Sequence, residues 1–436
     1  MENVDIIQKS IDYIEENLKA ELTVEELAKN SGFSLFHYYR IFQTESGMPV
    51  MQYILLRKLK NAIYEISCGK KAIDVALDYG FETYAGFFKA FKREFGTSPT
   101  QYLKKHTVNK PHKIILKQGE YIMISHKKIR KILTNWNLAN VDIIDIYHEG
   151  NGFKLENVWY INGNLVLKVY KNLYRLKNDI KISKSLLKAG FESPTPMKTY
   201  DGHDYVIDDD IYFYLTNRIK GERVKSSACY KDDFEIKMQH LGAAIGKLHL
   251  ALNKFDEEVL LNEPNLYETI KDWAIPEIKK YMDLPDSFYE NYLKNFEGLY
   301  PDLPRHAIHR DPNPSNIIMK DGKIVGFIDF ELSEKNVRIF DPCYASTAIL
   351  SESFDENDFN KLQKWIAIYM DIIDGYDSIC KLSHKEKQAI PFVIFAIQMI
   401  CVAYFSNIEK YAKLAEVNKK ILRWLYDNKD LLNIIR

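Results

Sequence analysis

Residues 307–331 read AIHRDPNPSNIIMKDGKIVGFIDFE. Two short β-like runs flank a polar loop, and the second run, KIVGFID, ends in acids. Phosphoryl transfer to a hydroxyl asks little of a protein. It needs a carboxylate to orient or deprotonate the acceptor and oxygen ligands for a Mg²⁺ that bridges the phosphates. His309, Arg310 and Asp311, then Asn316, then Asp329 supply that set. In this reading Asp311 is the base, Asn316 and Asp329 hold the metal, and His309 braces the loop by hydrogen bonds. Taken singly, Asp329 and Asp341 read equally as strand-end and cap acids.

The segment resembles the aminoglycoside phosphotransferase and choline kinase group, relatives of the protein kinases, and the resemblance extends over roughly residues 127–350. It implies a bilobal kinase-like fold. EGNGFKLENVWYI resembles the hairpin that covers the nucleotide, with Asn157 at a position commonly Asn in the group. GNLVLKVY resembles the third strand, which places Lys168 to contact the phosphates. A compact charge on a flexible stem suits that task. IYFYLTNRIKGERV resembles the strand and hinge against which adenine packs, near Thr216 and Arg218. NVRIFDPCYA places Asp341 where the group uses an acid to brace the catalytic loop. The lysine's usual partner is a Glu on the next helix. Here that helix reads RLKNDIKISKSLLKAG and offers Asp179 instead, one methylene shorter. The implied activity is phosphotransfer to an alcohol group of a small molecule, with Mg²⁺ and ATP or GTP as cofactors. LGAAIGKLHLAL matches the group's Leu-His helix, with His249 read as a core histidine. Trp273, Trp365, Tyr369 and Trp424 either line an apolar or quaternary-ammonium pocket or pack helices together.

The first hundred residues follow a different rule. Val4, Ile7, Ile11, Ile14 and Leu18 make one apolar helical stripe. Thr23 with Glu26 reads as a capping box, and Ser34 caps a helix SLFHYYRIFQTES that follows the break at Gly32. Ile41 and Phe42 face inwards there, leaving Phe36, His37, Tyr39 and Arg40 outside. A long helix runs from Pro49 towards Gly69, and then the pattern returns in IDVALDYGF, TYAGFFKAFKREF and SPTQY. A short helix, a Gly turn and a helix with exposed Arg and aromatics form a unit that a major groove accepts. The block resembles the DNA-binding domain of AraC/XylS-type regulators without a gap. By that resemblance Phe36, Tyr39 and Arg40 read the first groove, and Tyr84, Ala85 and Lys89 the second. Arg40 is the leading base contact, since Arg pairs bidentately with guanine. Gly86 within the second helix and Phe88 in place of a small polar residue predict a second unit that mainly positions on phosphates.

The net formal charge is zero, but residues 2–26 hold eight acids and two lysines, whereas residues 40–110 hold twelve Lys/Arg and six acids. That asymmetry suits a domain that offers one face to phosphates. The five cysteines are scattered and form no CxxC pair, which predicts reduced thiols and a cytoplasmic protein. No secretory pattern opens the sequence, and no uncharged apolar run is expected to reach the ~18 residues that a membrane helix needs.

The expected architecture is multidomain, α and α+β. Residues 1–106 form the all-α double helix-turn-helix domain and residues 107–126 a linker with a possible hairpin. Residues 127–220 form the nucleotide-binding lobe and residues 221–436 a helical lobe with catalytic loop and acceptor site. The expected function is a DNA-binding regulator whose second half binds nucleotide or a small effector. The alternative is an active small-molecule kinase with an accessory DNA-binding domain. Expected partners are double-stranded DNA, nucleotide and a small-molecule acceptor or effector, with no membrane.

Overall fold

The computed structural model describes residues 3–111, 114, 116, 123–147, 154–231, 237–254, 261–408 and 411–433. The chain forms two compact units: Met1–Leu176 with Pro196–Arg218, and Lys177–Thr195 with Ile219–Arg436.

The first unit opens with α1 (Asn3–Glu16), α2 (Val24–Asn30), α3 (Leu35–Ser46), α4 (Val50–Ser67), α5 (Ala72–Asp78), α6 (Tyr84–Phe95) and α7 (Pro99–Lys105). Local chemistry sets their ends. The hydroxyls of Thr23, Ser34 and Thr83 accept N–H groups from the first turns of α2, α3 and α6. Ser98 and Gln101 complete a reciprocal capping box on α7. The apolar stripe of α1 is buried at Ile7, Ile11 and Ile14. A buried ion pair fixes α1 on α4, with Arg57 Nε and Nη2 on the two carboxylate oxygens of Glu15 at 2.6 and 2.7 Å. Ile114, Leu116 and Met123 from the connecting segment join the same core. The proposed hairpin there falls mostly on residues outside those described.

The unit continues with α8 (His126–Leu133) and a five-stranded antiparallel sheet of β1 (Ile143–Tyr147), β2 (Lys154–Ile161), β3 (Leu165–Tyr170), β4 (Val206–Asp208) and β5 (Ile211–Asn217). The strand order is β1-β2-β3-β5-β4. Ile129, Ile132 and Leu133 of α8 pack with Trp159, Leu167, Phe213 and Leu215 of the sheet. Between β3 and β4 comes α9 (Leu173–Lys188).

The second unit contains most of α9, then β6 (Glu222–Arg223), α10 (Met238–Asn253), β7 (Arg305–Ile308), β8 (Ile317–Lys320), β9 (Lys323–Phe327) and β10 (Glu334–Val337). The strands pair as a two-stranded β10-β7 ladder and a three-stranded β6-β8-β9 sheet. Helices Phe340–Ser351, Phe359–Ile379, His384–Ser406 and Ala412–Asp427 complete it.

Helix α10 lies against Phe359–Ile379 at a distance that only glycine permits. A Cβ on Gly375 would run into the backbone carbonyl of Gln239, and one on Gly242 into that of Ile372. Gly375→Ala is expected to cost about 1–3 kcal/mol, because neither backbone can yield without shifting a packed helix. Urea unfolding checks this, and an unchanged midpoint would show that the helices separate freely.

One expectation fails in this unit. Residues 388–408 carry no charged side chain, and helix His384–Ser406 is long and apolar enough to cross a membrane. In the fold 61% of its apolar window is buried, with Val393, Ile394, Ala396 and Met399 inside the core.

Candidate active site and nucleic-acid interface

Strand β7 delivers the polar loop and the β8–β9 pair returns the second acid. His309 is fully buried, and its Nε2 lies 3.0 Å from the Ile328 carbonyl oxygen. The ring rests on Phe330 at 4.4 Å between centroids. Ile328 N–H donates to the Asn316 carbonyl at 2.9 Å, so the residue before Asp329 is tied to the loop from both sides. Arg310 and Asp329 are non-glycine residues with φ of 76° and 72°. Such backbone persists only where its surroundings fix it. Here Asp341 fixes the first: its carboxylate accepts the N–H of His309 at 2.8 Å and of Arg310 at 2.9 Å. The Arg310 guanidinium pairs with Glu334 at 2.7 Å and lies over the Phe340 ring at 4.0 Å.

Asp311 is held by amides. Asn313 Nδ2 donates to its Oδ1 at 2.8 Å, and Asn316 Nδ2 donates to its Oδ2 and its carbonyl oxygen, both at 3.0 Å. Only a nitrogen can face two acceptor oxygens, so the Asn316 side chain has one orientation and its carbonyl oxygen is left for a cation. Burial pushes the Asp311 carboxyl above its ordinary value, against the Asn313 hydrogen bond that lowers it, and the negative charge of Asp329 adds to the rise. Asp341 goes the other way. Burial works to raise it, but the hydrogen bond and charge of His249, with His309, hold it below the ordinary range.

Three partners of this loop escape sequence reasoning. His249, read as a core histidine, is buried, yet its Nε2 lies 2.8 Å from Asp341 Oδ2 and its Nδ1 2.9 Å from the Tyr376 hydroxyl. A carboxylate only accepts, so Nε2 carries the proton. Tyr344, one helical turn beyond Asp341, presents its hydroxyl to Asp311. Glu334 is the counter-ion of Arg310. Only the spacing of Tyr344 from Asp341 offered a signal. Trp365 and Tyr369 are fully buried packing residues, bonded to the carbonyls of Ser346 and Leu432. Trp424 packs edge-on against Trp365, and Trp273 is partly exposed.

In the first unit Lys168 sits on β3 opposite Val158 and Tyr214. Asn157 has φ of 60° at an irregularity of β2, between the pairs Asp145↔Trp159 and Tyr147↔Lys154. Gly150 and Gly152 of the preceding loop lie outside the described residues. Thr216 is buried, and its hydroxyl reaches the Val166 carbonyl at 3.5 Å. Arg218 stacks on Tyr160 at 4.1 Å and donates to the Gly163 carbonyl at 3.0 Å. Asp179 is a buried residue of α9 in the second unit. Among the described residues no group of three or more His, Cys, Asp or Glu could hold a metal alone. A cation here would share Asn316 and Asp329 with phosphate oxygens, as Mg²⁺ commonly does.

On the helix-turn-helix side, Phe36 is 80% exposed and Tyr39 is also exposed, so packing does not account for them. Arg40 is exposed, with Nη2 3.3 Å from His37 Nδ1. On α6, Ala85 and Lys89 are exposed, whereas Tyr84 is partly buried against Phe87 and Phe88. Gly86 occupies the first turn, where Thr83 Oγ1 accepts its N–H at 3.1 Å. Its cost to the helix is therefore smaller than an interior position would give.

The helix-turn-helix domain family model matches residues 18–105 and that of the phosphotransferase enzyme family matches residues 152–369. Over 108 residues the chain is 39% identical to an uncharacterized HTH-type transcriptional regulator, YbfP of Bacillus subtilis, covering 24% of this chain and 37% of that protein. It is 33% identical over 103 residues to the regulatory protein SoxS of Salmonella typhimurium, covering 23% of this chain and 96% of that one. Among solved structures, the amicoumacin kinase hAmiN in complex with AMP-PNP, Ca²⁺ and Ami superposes with a TM-score of 0.50 at 13% identity. That alignment covers 71% of this chain and 95% of the kinase. The chain belongs to the phosphotransferase enzyme family and carries an AraC-type helix-turn-helix domain at its N-terminus. Its fold is accordingly a helical DNA-binding domain followed by a kinase-like α+β domain.

Proposed function

We propose that the chain is a DNA-binding transcriptional regulator whose kinase-like half binds Mg²⁺-nucleotide, a small hydroxylated or aminated effector, or both, in the cytoplasm where both are found. The observation that carries this reading is the pairing of two features in one chain. One is a set of exposed reading side chains on α3 and α6, and the other is the complete loop of Asp311, Asn316 and Asp329. Two such helices enter successive major grooves about 34 Å apart. Phe36, Tyr39 and Arg40 read the first groove, and Tyr84, Ala85 and Lys89 the second. In the first unit nucleotide is held by Asn157, Lys168 and the strand around Thr216 and Arg218; in the second, Asp179 is the candidate nucleotide-binding acid. Asn316 and Asp329 hold the cation, which neutralises phosphate charge. An effector that binds two conformers unequally then changes DNA affinity.

The test is a thermal shift of the full chain with Mg·ATP and Mg·GTP, followed by DNA binding in the same buffers. A nucleotide at 100 times its Kd adds about 2.7 kcal/mol of stability. No shift with either nucleotide sinks the nucleotide reading. Arg40→Ala is expected to weaken binding to a duplex selected from a random pool by about 1–3 kcal/mol and to relax selectivity in one half-site. Unchanged selectivity would remove Arg40 from the groove. The comparison is made over a salt series, because phosphate contacts dominate affinity.

A second reading, an active small-molecule kinase, is favoured by the raised Asp311 carboxyl, which suits a general base. A base works only when ionised, so turnover would rise as pH climbs through that raised value. A flat pH profile on the acid side would speak against Asp311 as the base.

A further inference from the structure

Helix α8 lies outside both matched stretches, in the first unit, and two faces of it do different things. One face belongs to the sheet. Ile129, Ile132 and Leu133 are buried with the sheet core, and Lys128 Nζ pairs with Asp208 at 2.8 Å and Asp209 at 3.2 Å. The other face meets α6. The Arg130 guanidinium donates to the carbonyl oxygens of Glu94 and, at 3.4 Å, Arg93, in the last turn of α6. Those carbonyls have no partner within the helix and carry the negative end of its dipole. Gly96 makes the seat possible: at φ of 76° it caps the helix, and a Cβ there would come within 2.8 Å of Arg130 Nη1. Glu94 is itself buried, and its Oε1 has no hydrogen-bond partner among the described residues, so the guanidinium also offsets charge on α6.

The seat is reinforced around its edge. Phe95 packs edge-on against His126 at 5.2 Å, and His126 Nε2 lies 3.2 Å from Asp145 on β1. Lys105 pairs with Asp142 at 3.0 Å, and Gln52 Nε2 donates to Ser125, the cap of α8, at 3.1 Å. The segment leading into α8 also touches α3, where the Met123 N–H donates to the Ser46 carbonyl at 3.1 Å, but among the described residues α8 itself makes no side-chain hydrogen bond to α3. The first reading helix is therefore met only by backbone of the connecting segment, whereas the second is gripped by a side chain of the helix that packs on the sheet.

We infer that Arg130 is a positioning residue for DNA recognition, supplied from outside the helix-turn-helix domain, which fixes the second reading helix α6 on the sheet of the kinase-like half. It touches no DNA. It acts by setting the angle of α6, and hence how the second half-site is met. This rests on the DNA-binding reading above. It also gives the nucleotide lobe a direct mechanical hold on one of the two half-sites.

The test uses the full-length chain and a duplex of about 20 base pairs that the chain itself selects from a random pool. Binding is compared with duplexes scrambled in one half-site or the other. Arg130→Ala is expected to lose about tenfold in affinity for the selected duplex, the size of one lost base contact. It should also stop distinguishing the duplex scrambled in the second half-site, while discrimination at the first, which depends on Arg40, persists. Arg130→Lys, which keeps a cation on the same carbonyls, should restore much of the loss. Lys128→Ala, which loosens α8 from the sheet, should repeat the half-site pattern more weakly without touching the seat. Unchanged second-half discrimination in Arg130→Ala would overturn the inference, and so would equal loss at both half-sites, which marks a general loss of structure. A wild-type chain that selects no duplex removes the DNA-binding reading itself, an outcome separate from a selective wild type with an indifferent variant.

Discussion

Asp341→Ala is expected to destabilise the second unit by about 3–5 kcal/mol, the usual cost of deleting one member of a buried charged network. Asp341 is fully buried and accepts three hydrogen bonds, from the N–H groups of His309 and Arg310 and from His249 Nε2. Its removal leaves three buried donors without acceptors. It also releases the backbone N–H of Arg310, which has φ of 76°, and leaves that residue held by its side chain on Glu334 and Phe340. The loop would relax, and the amide cradle around Asp311 would go with it. Hydrogen exchange at residues 305–317, read beside urea unfolding, separates this from a distributed loss. A variant within 1 kcal/mol of wild type would show that water replaces the carboxylate, contrary to its burial.

The same group predicts an acid limb. The folded Asp341 carboxyl sits below its ordinary value of 3.8, so the stability it contributes is present above that value. It is lost as pH falls through the folded value, and Asp341→Ala should lose that part of the acid dependence.

The helices of the first hundred residues are legible because their signals are local. Thr23, Ser34, Thr83 and Ser98 mark starts by side-chain chemistry, and the apolar spacing of α1 fixes which face is buried. The polar loop is legible for the same reason: Asp311 and Asn316 are five residues apart and meet within one turn of backbone. What escapes the sequence is contact between distant segments. His249 and Asp341 are 92 residues apart, and nothing in either neighbourhood announces the other. The grip of Arg130 on α6 depends on a docking geometry that no local pattern encodes. Helix His384–Ser406 shows the complementary failure. Apolar composition alone does not distinguish a bilayer from the core of a large helical lobe, and here the surroundings are Leu, Ile and aromatic side chains of the same unit.

Asp311→Asn is expected to reduce phosphoryl transfer by about 10³-fold, within the range that a positioned general base contributes, if the kinase reading holds. The substitution is nearly the same shape but not the same electrostatics. Oδ1 accepts from Asn313 and Oδ2 from Asn316, so the new amide sets a donor against a donor whichever way it turns. Asn316 cannot flip without losing the bond from its Nδ2 to the Asp311 carbonyl, whereas Asn313 can, because the Ser315 hydroxyl that donates to its Oδ1 at 2.5 Å can accept instead. The rearrangement carries a local cost of about 1 kcal/mol. Turnover is therefore compared at a temperature where both proteins are folded. Nucleotide-dependent stabilisation and DNA affinity are measured on the same preparations. Loss of turnover with both of these retained assigns Asp311 to chemistry and the domain to catalysis. A wild-type chain that binds nucleotide, alters its DNA affinity and phosphorylates none of a panel of hydroxylated and aminated compounds places the same loop in effector recognition instead. Turnover unchanged in Asp311→Asn would remove Asp311 from the reaction, and with it the kinase reading of residues 307–331.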